Sequence, residues 1–174
     1  IMGLFMNNGP VVQVKDGNGK VQVMKNKQST PIWTGPLVIM QNELSASASE
    51  ILAGAMKAYG RAVFAGSPNS FGKGTVQTFV ELNRFLNSND DFGALKLTIQ
   101  KFYRINGKST QLKGVESDIP MKDVYGYEEI GERFDNFELP WDQVSSTVFT
   151  AMDNSKNNGL AKDSEKKKKK NKSY

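Results

Sequence analysis

Apolar positions near the start of the chain fall in two short clusters around a turn. Val11, Val12 and Val14, then Val21 and Val23, flank Lys15-Asp16-Gly17-Asn18-Gly19-Lys20. Asp-Gly and Asn-Gly are strong hairpin signals, so two antiparallel strands are predicted. Residues 25–35 are polar and irregular and close on Thr34-Gly35-Pro36. Leu37-Val38-Ile39-Met40 then forms a continuous apolar run, the pattern of a strand buried on both faces.

Residues 46–59 are rich in helix formers, with Ile51, Leu52, Ala55, Met56 and Tyr59 at helical spacing and Gly60 placed as the C-cap. Ala62-Val63-Phe64-Ala65 reads as a short buried strand, residues 66–74 as a loop and residues 75–82 as another strand. Strand, helix, strand in that order is a βαβ unit, which predicts an α/β core. Leu95, Leu97 and Ile99 alternate with Lys96, Thr98 and Gln100, the signature of a strand with one wet face. Phe102, Tyr103 and Ile105 carry it to a turn at Asn106-Gly107. Past residue 153 almost nothing can be buried, and the segment is predicted to be disordered. No internal repeat is visible.

Composition narrows the chemistry. At 174 residues the chain is long enough for one real core. It has no histidine and no cysteine, which removes the Ser-His-Asp triad, thiol nucleophiles, disulfides and the usual zinc ligand sets. A nucleophile here needs another base. The formal charge is +5, from 23 basic and 18 acidic residues. Seven lysines, with Asp163 and Glu165, lie in residues 161–174, so the tail carries the charge and the body is neutral. A lysine run without interleaved aromatics is a solvated tail rather than a specific nucleic-acid site. No apolar run approaches the roughly 18 residues of a membrane span. Residues 1–6 are too short and lack the basic flank of a signal peptide, and the opening reads like an excised piece of something longer.

Two stretches could carry chemistry. Leu44-Ser45-Ala46-Ser47-Ala48-Ser49-Glu50 joins the apolar strand to the helix. A serine there sits beside unpaired backbone N–H groups at the positive end of a helix dipole, where an oxyanion would find donors. Spacing alone reads Ser47-x-x-Glu50 as a capping box. Gly66-Ser67-Pro68-Asn69-Ser70-Phe71-Gly72-Lys73-Gly74 resembles a phosphate loop, but that motif has one residue fewer between its glycines, Ser or Thr after the lysine, and a helix following. Instead, Gly-Lys-Gly offers an amine on a backbone that can pack closely. Burial without a counter-charge lowers a lysine pKa, and a neutral lysine can take a proton from a serine. Lys73 is otherwise a surface turn residue. Gln77, four residues on, shares its face if pairing is regular and can orient the amine without adding negative charge. Asp90-Asp91 and Glu128-Glu129 with Glu132 read as surface charges.

Together these segments resemble the tail-specific, or C-terminal processing, serine proteases with a Ser-Lys catalytic pair. The resemblance rests on Ser45-Ala46-Ser47-Ala48-Ser49-Glu50-Ile51, Tyr59-Gly60-Arg61-Ala62 and Phe71-Gly72-Lys73-Gly74-Thr75-Val76-Gln77. Gly9-Pro10-Val11-Val12-Gln13-Val14, residues 96–104 and 107–111, Gly114-Val115 before Asp118-Ile119, and Leu139-Pro140-Trp141 extend it from about residue 3 to 145. It implies a mixed α/β sheet around the βαβ unit with a crotonase/Clp-protease-like core. Residues 1–145 would be the C-terminal part of a catalytic domain and residues 146–174 a polar Lys-rich tail.

It also implies Ser47 as nucleophile, Lys73 as general base, Gln77 as the residue orienting it, and the Ala48 N–H as an oxyanion donor, with no metal or cofactor. Substrates would be proteins engaged through their C-terminal tails in the periplasm or envelope of a bacterium. The second oxyanion donor and the peptide-binding PDZ module would lie upstream of residue 1, which predicts an inactive isolated fragment. The loop at residues 67–70 is one residue longer than the family pattern and is predicted to bulge outward. The alternative is a catalytically silent scaffold that binds peptide along a strand edge.

Overall fold

The computed structural model describes residues 1–28, 30–85, 90–153 and 155–170. The turn predicted at Asp16-Gly17-Asn18-Gly19 joins β1 (Gly9–Asp16) to β2 (Val21–Asn26), paired antiparallel. Asp16 shapes the turn by accepting from the N–H groups of Asn18 and Lys20. The βαβ unit follows as β3 (Val38–Gln41), α1 (Ala48–Tyr59) and β4 (Val63–Gly66), the two strands parallel with Ile39 opposite Phe64. Gly60 ends α1 at φ 68°, with its N–H bonded to Lys57 O and the Arg61 N–H bonded to Met56 O, a Schellman closure. β5 (Thr75–Glu81) and β6 (Ala94–Tyr103) form a second antiparallel pair, and β7 (Ile119–Pro120) lies parallel to β4.

Parallel and antiparallel pairing segregate into two sheets, β3-β4-β7 and β2-β1-β6-β5. Met56, Phe64, Ile105 and Val115 are fully buried at the centre of the core, with Met2, Met6 and Tyr59 around them. Asp118 ties the parallel sheet to the helix: one carboxylate oxygen accepts from the Phe64 N–H at 2.9 Å, the other from Lys57 Nζ at 2.8 Å.

Several expectations change. β3 is an edge strand packed on one face only, so Val38 is 59% and Met40 81% exposed instead of buried on both faces. The outer half of β6 pairs only with β5, because β1 reaches β6 at residues 100–103; Leu95, Leu97 and Ile99 therefore stay open to solvent, and that half has no dry face. Residues 147–152, on the tail side of the expected boundary, touch the body. The chain runs extended against it, with Thr147 N–H bonded to Ile105 O, Met152 N–H to Tyr59 O, and the Phe149 ring edge-on to Tyr59 at 5.4 Å. Beyond it the tail is not structureless: α2 (Ser155–Lys170) is helical, consistent with its lysine, glutamate and alanine content and with cations in its last turn. Residues 171–174 of that tail lie outside the described residues.

Candidate active site

Ser47 sits where β3 has ended and α1 has not begun, and the turn between them is sharp. As N-cap it adopts φ 56° and ψ −110°, one of two non-glycine residues at positive φ among those described. Such a conformation costs roughly 1–3 kcal/mol and persists only where surrounding contacts impose it. Here the imposing group is Glu50, one turn into the helix, whose Oε2 accepts from the Ser47 N–H at 2.9 Å. Ser47 itself is half-buried.

Glu50 does more than close a cap. Its side chain is fully buried, and the same Oε2 accepts from the backbone N–H of Lys73 at 2.9 Å. Oε1 accepts from Ser70 Oγ at 2.6 Å and from the Gly72 N–H at 2.7 Å. One carboxylate thus joins the peptide units of Ser47 and Lys73. Burial pushes its carboxyl above the usual range, against the pull of those four donors.

The Gly-Lys-Gly sequence is explained by what lies behind it. A Cβ on Gly72, which has φ 95°, would come within 3.0 Å of the Leu112 carbonyl carbon, and one on Gly74 within 2.8 Å of the Gln111 N. The backbone on both sides of Lys73 is therefore pressed against residues 111–114, and the lysine alone turns outward. Its Nζ donates to Gln77 Oε1 at 2.7 Å, and Gln77 Nε2 reaches Thr98 Oγ1 at 3.5 Å. Lys73 and Gln77 meet without regular alternation between them: Lys73 precedes β5, and the β5–β6 register shifts between Val76 and Gln77. Lys73 is half-buried rather than sheltered, and among the described residues no hydrogen bond joins its amine to Ser47 Oγ. Ala48 opens α1, so its N–H belongs to the first turn that the helix leaves unpaired.

The loop at residues 67–70 is anchored inward at both ends, while its tip at Pro68 stays exposed. Ser67 and Ser70 are buried, and their hydroxyls reach Glu43 and Glu50, because side chains small enough to enter the body carry the bond-forming oxygen. A cleft of about 390 Å³ opens beside the site at the carboxyl ends of the parallel strands, lined by Met40, Asn42, Ser45, Ser67, Met121 and Asp123. The larger cavity, about 670 Å³, lies under α2 against Val38, Val63 and Ile119. Among the described residues no cluster of acids could hold a metal ion. Sequence reasoning found Glu50 only as half of a cap; the Ser-x-x-Glu spacing was its signal, and nothing in it showed that the carboxylate would also reach Lys73.

Similarity to known proteins agrees first on the class. The solved structure of a photosystem II D1 C-terminal processing protease superposes with a TM-score of 0.59 at 29% sequence identity, over 70% of this chain and 29% of that one. The tail-specific protease of Haemophilus influenzae is 43% identical over 155 residues, which cover 88% of this chain. The carboxy-terminal-processing protease of Bartonella bacilliformis is 37% identical over 131 residues, covering 71%. Residues 1–121 match peptidase family S41, and the chain belongs to that family. It spans 22% and 28% of the lengths of the two bacterial relatives.

Proposed function

We propose that this chain carries the nucleophile and base of a serine-type endopeptidase that cleaves proteins engaged through their C-terminal tails. The observation supporting this most directly is the double use of Glu50 Oε2, which fixes the backbone of Ser47 and the backbone of Lys73 to one oxygen atom. A capped helix needs only the first of these bonds.

In this reading the unprotonated amine of Lys73, steered by Gln77, takes the hydroxyl proton as Ser47 Oγ attacks the substrate carbonyl carbon. The Ala48 N–H, with a donor from elsewhere in the protein, holds the resulting oxyanion. The carbon–nitrogen bond then breaks and the leaving amine takes the proton from Lys73. The Lys73 amine, neutral again, takes a proton from water as it attacks the ester carbon, the carbon–Oγ bond breaks to release a carboxylic acid, and Ser47 Oγ recovers its proton from Lys73. No metal or cofactor enters. Because the chain supplies one oxyanion donor, the 174 residues alone are expected to turn over poorly. A bacterial cell-envelope location belongs to this reading as part of the proposal; no described helix is long and apolar enough to cross a membrane.

The test is cleavage of a tailed protein substrate by the full-length protein. Ser47→Ala and Lys73→Arg should each lower kcat by at least about 10³-fold, since arginine stays protonated. Undiminished cleavage by either would remove that residue from the mechanism. The second reading, a silent peptide-binding scaffold, draws on the unpaired outer edge of β3. It expects peptide binding by the wild type with no turnover under any condition.

A further inference from the structure

Outside the Ser47, Lys73 and Glu50 constellation, a second set of side chains joins the same two loops. Ser67 Oγ donates to Glu43 Oε2 at 2.5 Å and stands 3.2 Å from Asp123 Oδ2. Glu43 lies four residues before Ser47, and Ser67 six residues before Lys73. The approach is close by construction. Gly66 has φ 130°, a Cβ on it would fall 1.9 Å from the Gln41 carbonyl oxygen, and the Ser67 N–H is bonded to that same oxygen at 3.1 Å. The Ser67 carbonyl accepts from Ser117 Oγ at 2.6 Å, so Ser67 is held on every side.

The arrangement is a poor one for stability. A hydroxyl has one proton to give, yet two carboxylates face it. Glu43 is 9% exposed, and among the described residues no salt bridge reaches Glu43 or Asp123. Asp123 is satisfied on its other oxygen by the Tyr125 N–H. Glu43 is buried and Asp123 partly so, and a buried acid with no cation beside it costs stability. What the contact achieves is register: it fixes the loop that ends in the nucleophile against the loop that ends in the base.

We infer that Glu43 and Ser67 are positioning residues for the proposed proteolytic reaction, their hydrogen bond setting the approach of the Ser47 loop to the Lys73 loop. The inference rests on the endopeptidase reading for its catalytic consequence, but not for the clamp itself.

Two measurements on the full-length protein separate these. Hydrogen exchange reads the Ser47 amide, and steady-state kinetics reads kcat and KM on a tailed protein. Ser67→Ala and Glu43→Leu should each speed exchange of the Ser47 amide about tenfold, as loss of one buried hydrogen bond does, with the β1–β2 hairpin unchanged. Each should also lower kcat about tenfold with KM within about twofold, and the double variant should be no worse than either single one. Glu43→Gln, which keeps an oxygen for the Ser67 hydroxyl, should stay within about threefold of wild type in both readouts.

Unchanged Ser47 exchange in Ser67→Ala overturns the clamp, whatever the enzyme does. Glu43→Gln failing as badly as Glu43→Leu overturns it too, because charge rather than the hydrogen bond would then matter. Faster exchange in a protein whose wild type turns nothing over keeps the clamp and removes the endopeptidase reading.

Discussion

At Ser47 the backbone conformation says more than the residue type. A serine before a helix is ordinarily a cap in the extended region, whereas φ 56° with ψ −110° is strain. Strain of this kind is relieved by glycine and not by alanine. Ser47→Gly should therefore be more stable than Ser47→Ala by about 1–2 kcal/mol in urea unfolding, although both lack the hydroxyl. Equal midpoints would show that the position is unstrained. Glu50 gives a second prediction at this scale. Its pKa is raised in the folded protein chiefly by burial. The folded state then holds the proton more tightly than the unfolded chain, so the contribution to stability is complete below the ordinary carboxylate range and is lost as pH rises through the raised value. Glu50→Gln does not titrate and places an amide NH₂ against N–H donors; wild type should lead it by about 2–3 kcal/mol at pH about 4 and by less at pH about 7. A lead that widens with pH would mean an ionised carboxylate stabilised by its donors. Residue types at these positions were legible from the sequence because Ser47, Lys73 and Gln77 sit in a distinctive string. The joint grip of Glu50 on two loops was not, since it depends on residues 23 apart meeting in space.

Elements that are local in sequence were read well, and those that depend on neighbours were not. The hairpin at residues 15–20 and the β3–α1–β4 unit follow from turn residues, period and caps, all of which the chain carries within a few residues. β3 looked doubly buried because an apolar run reports composition and not how many layers cover it. The outer β5–β6 pair failed for the same reason, its alternation being real but unmatched by any packing partner among the described residues. The loop after β4 exposes its tip at Pro68, but its extra residue is more than added length. In the structure it is consumed by buried bonds from Ser67 and Ser70. Gly66 is what admits that inward path. Gly66→Ala would place a methyl group 1.9 Å from Gln41 O at φ 130° and should destabilise by more than about 3 kcal/mol. Thermal unfolding within about 1 kcal/mol of wild type would show that the loops tolerate separation.

Across the whole molecule, backbone bonds and polarity suggest different cuts between body and tail. Residues 146–152 are mostly exposed, and their composition reads as linker, yet the N–H groups of Thr147 and Met152 are spent on the body. Val144, Thr147 and Met152 donate to Gly107, Ile105 and Tyr59, while Gln13 Nε2 reaches back to Ser145 O at 2.9 Å. Phe149 places its ring beside Tyr59, whose hydroxyl in turn donates to Pro10 O at 3.0 Å, so this strap bears on the underside of α1 and the start of β1 together. A chain stopped after residue 145 loses two backbone bonds and the aromatic contact; it should be less stable by about 3 kcal/mol. A chain stopped after residue 153 keeps all of them and loses α2, whose contacts are with the exposed face near β7. It should unfold within about 1 kcal/mol of the full chain. If the two truncations behave alike, the strap contributes nothing and the body ends where the polarity first rises. If only the shorter one is weakened, the helix that carries the Ser47 site is braced from behind by residues that no apolar pattern would have assigned to its domain.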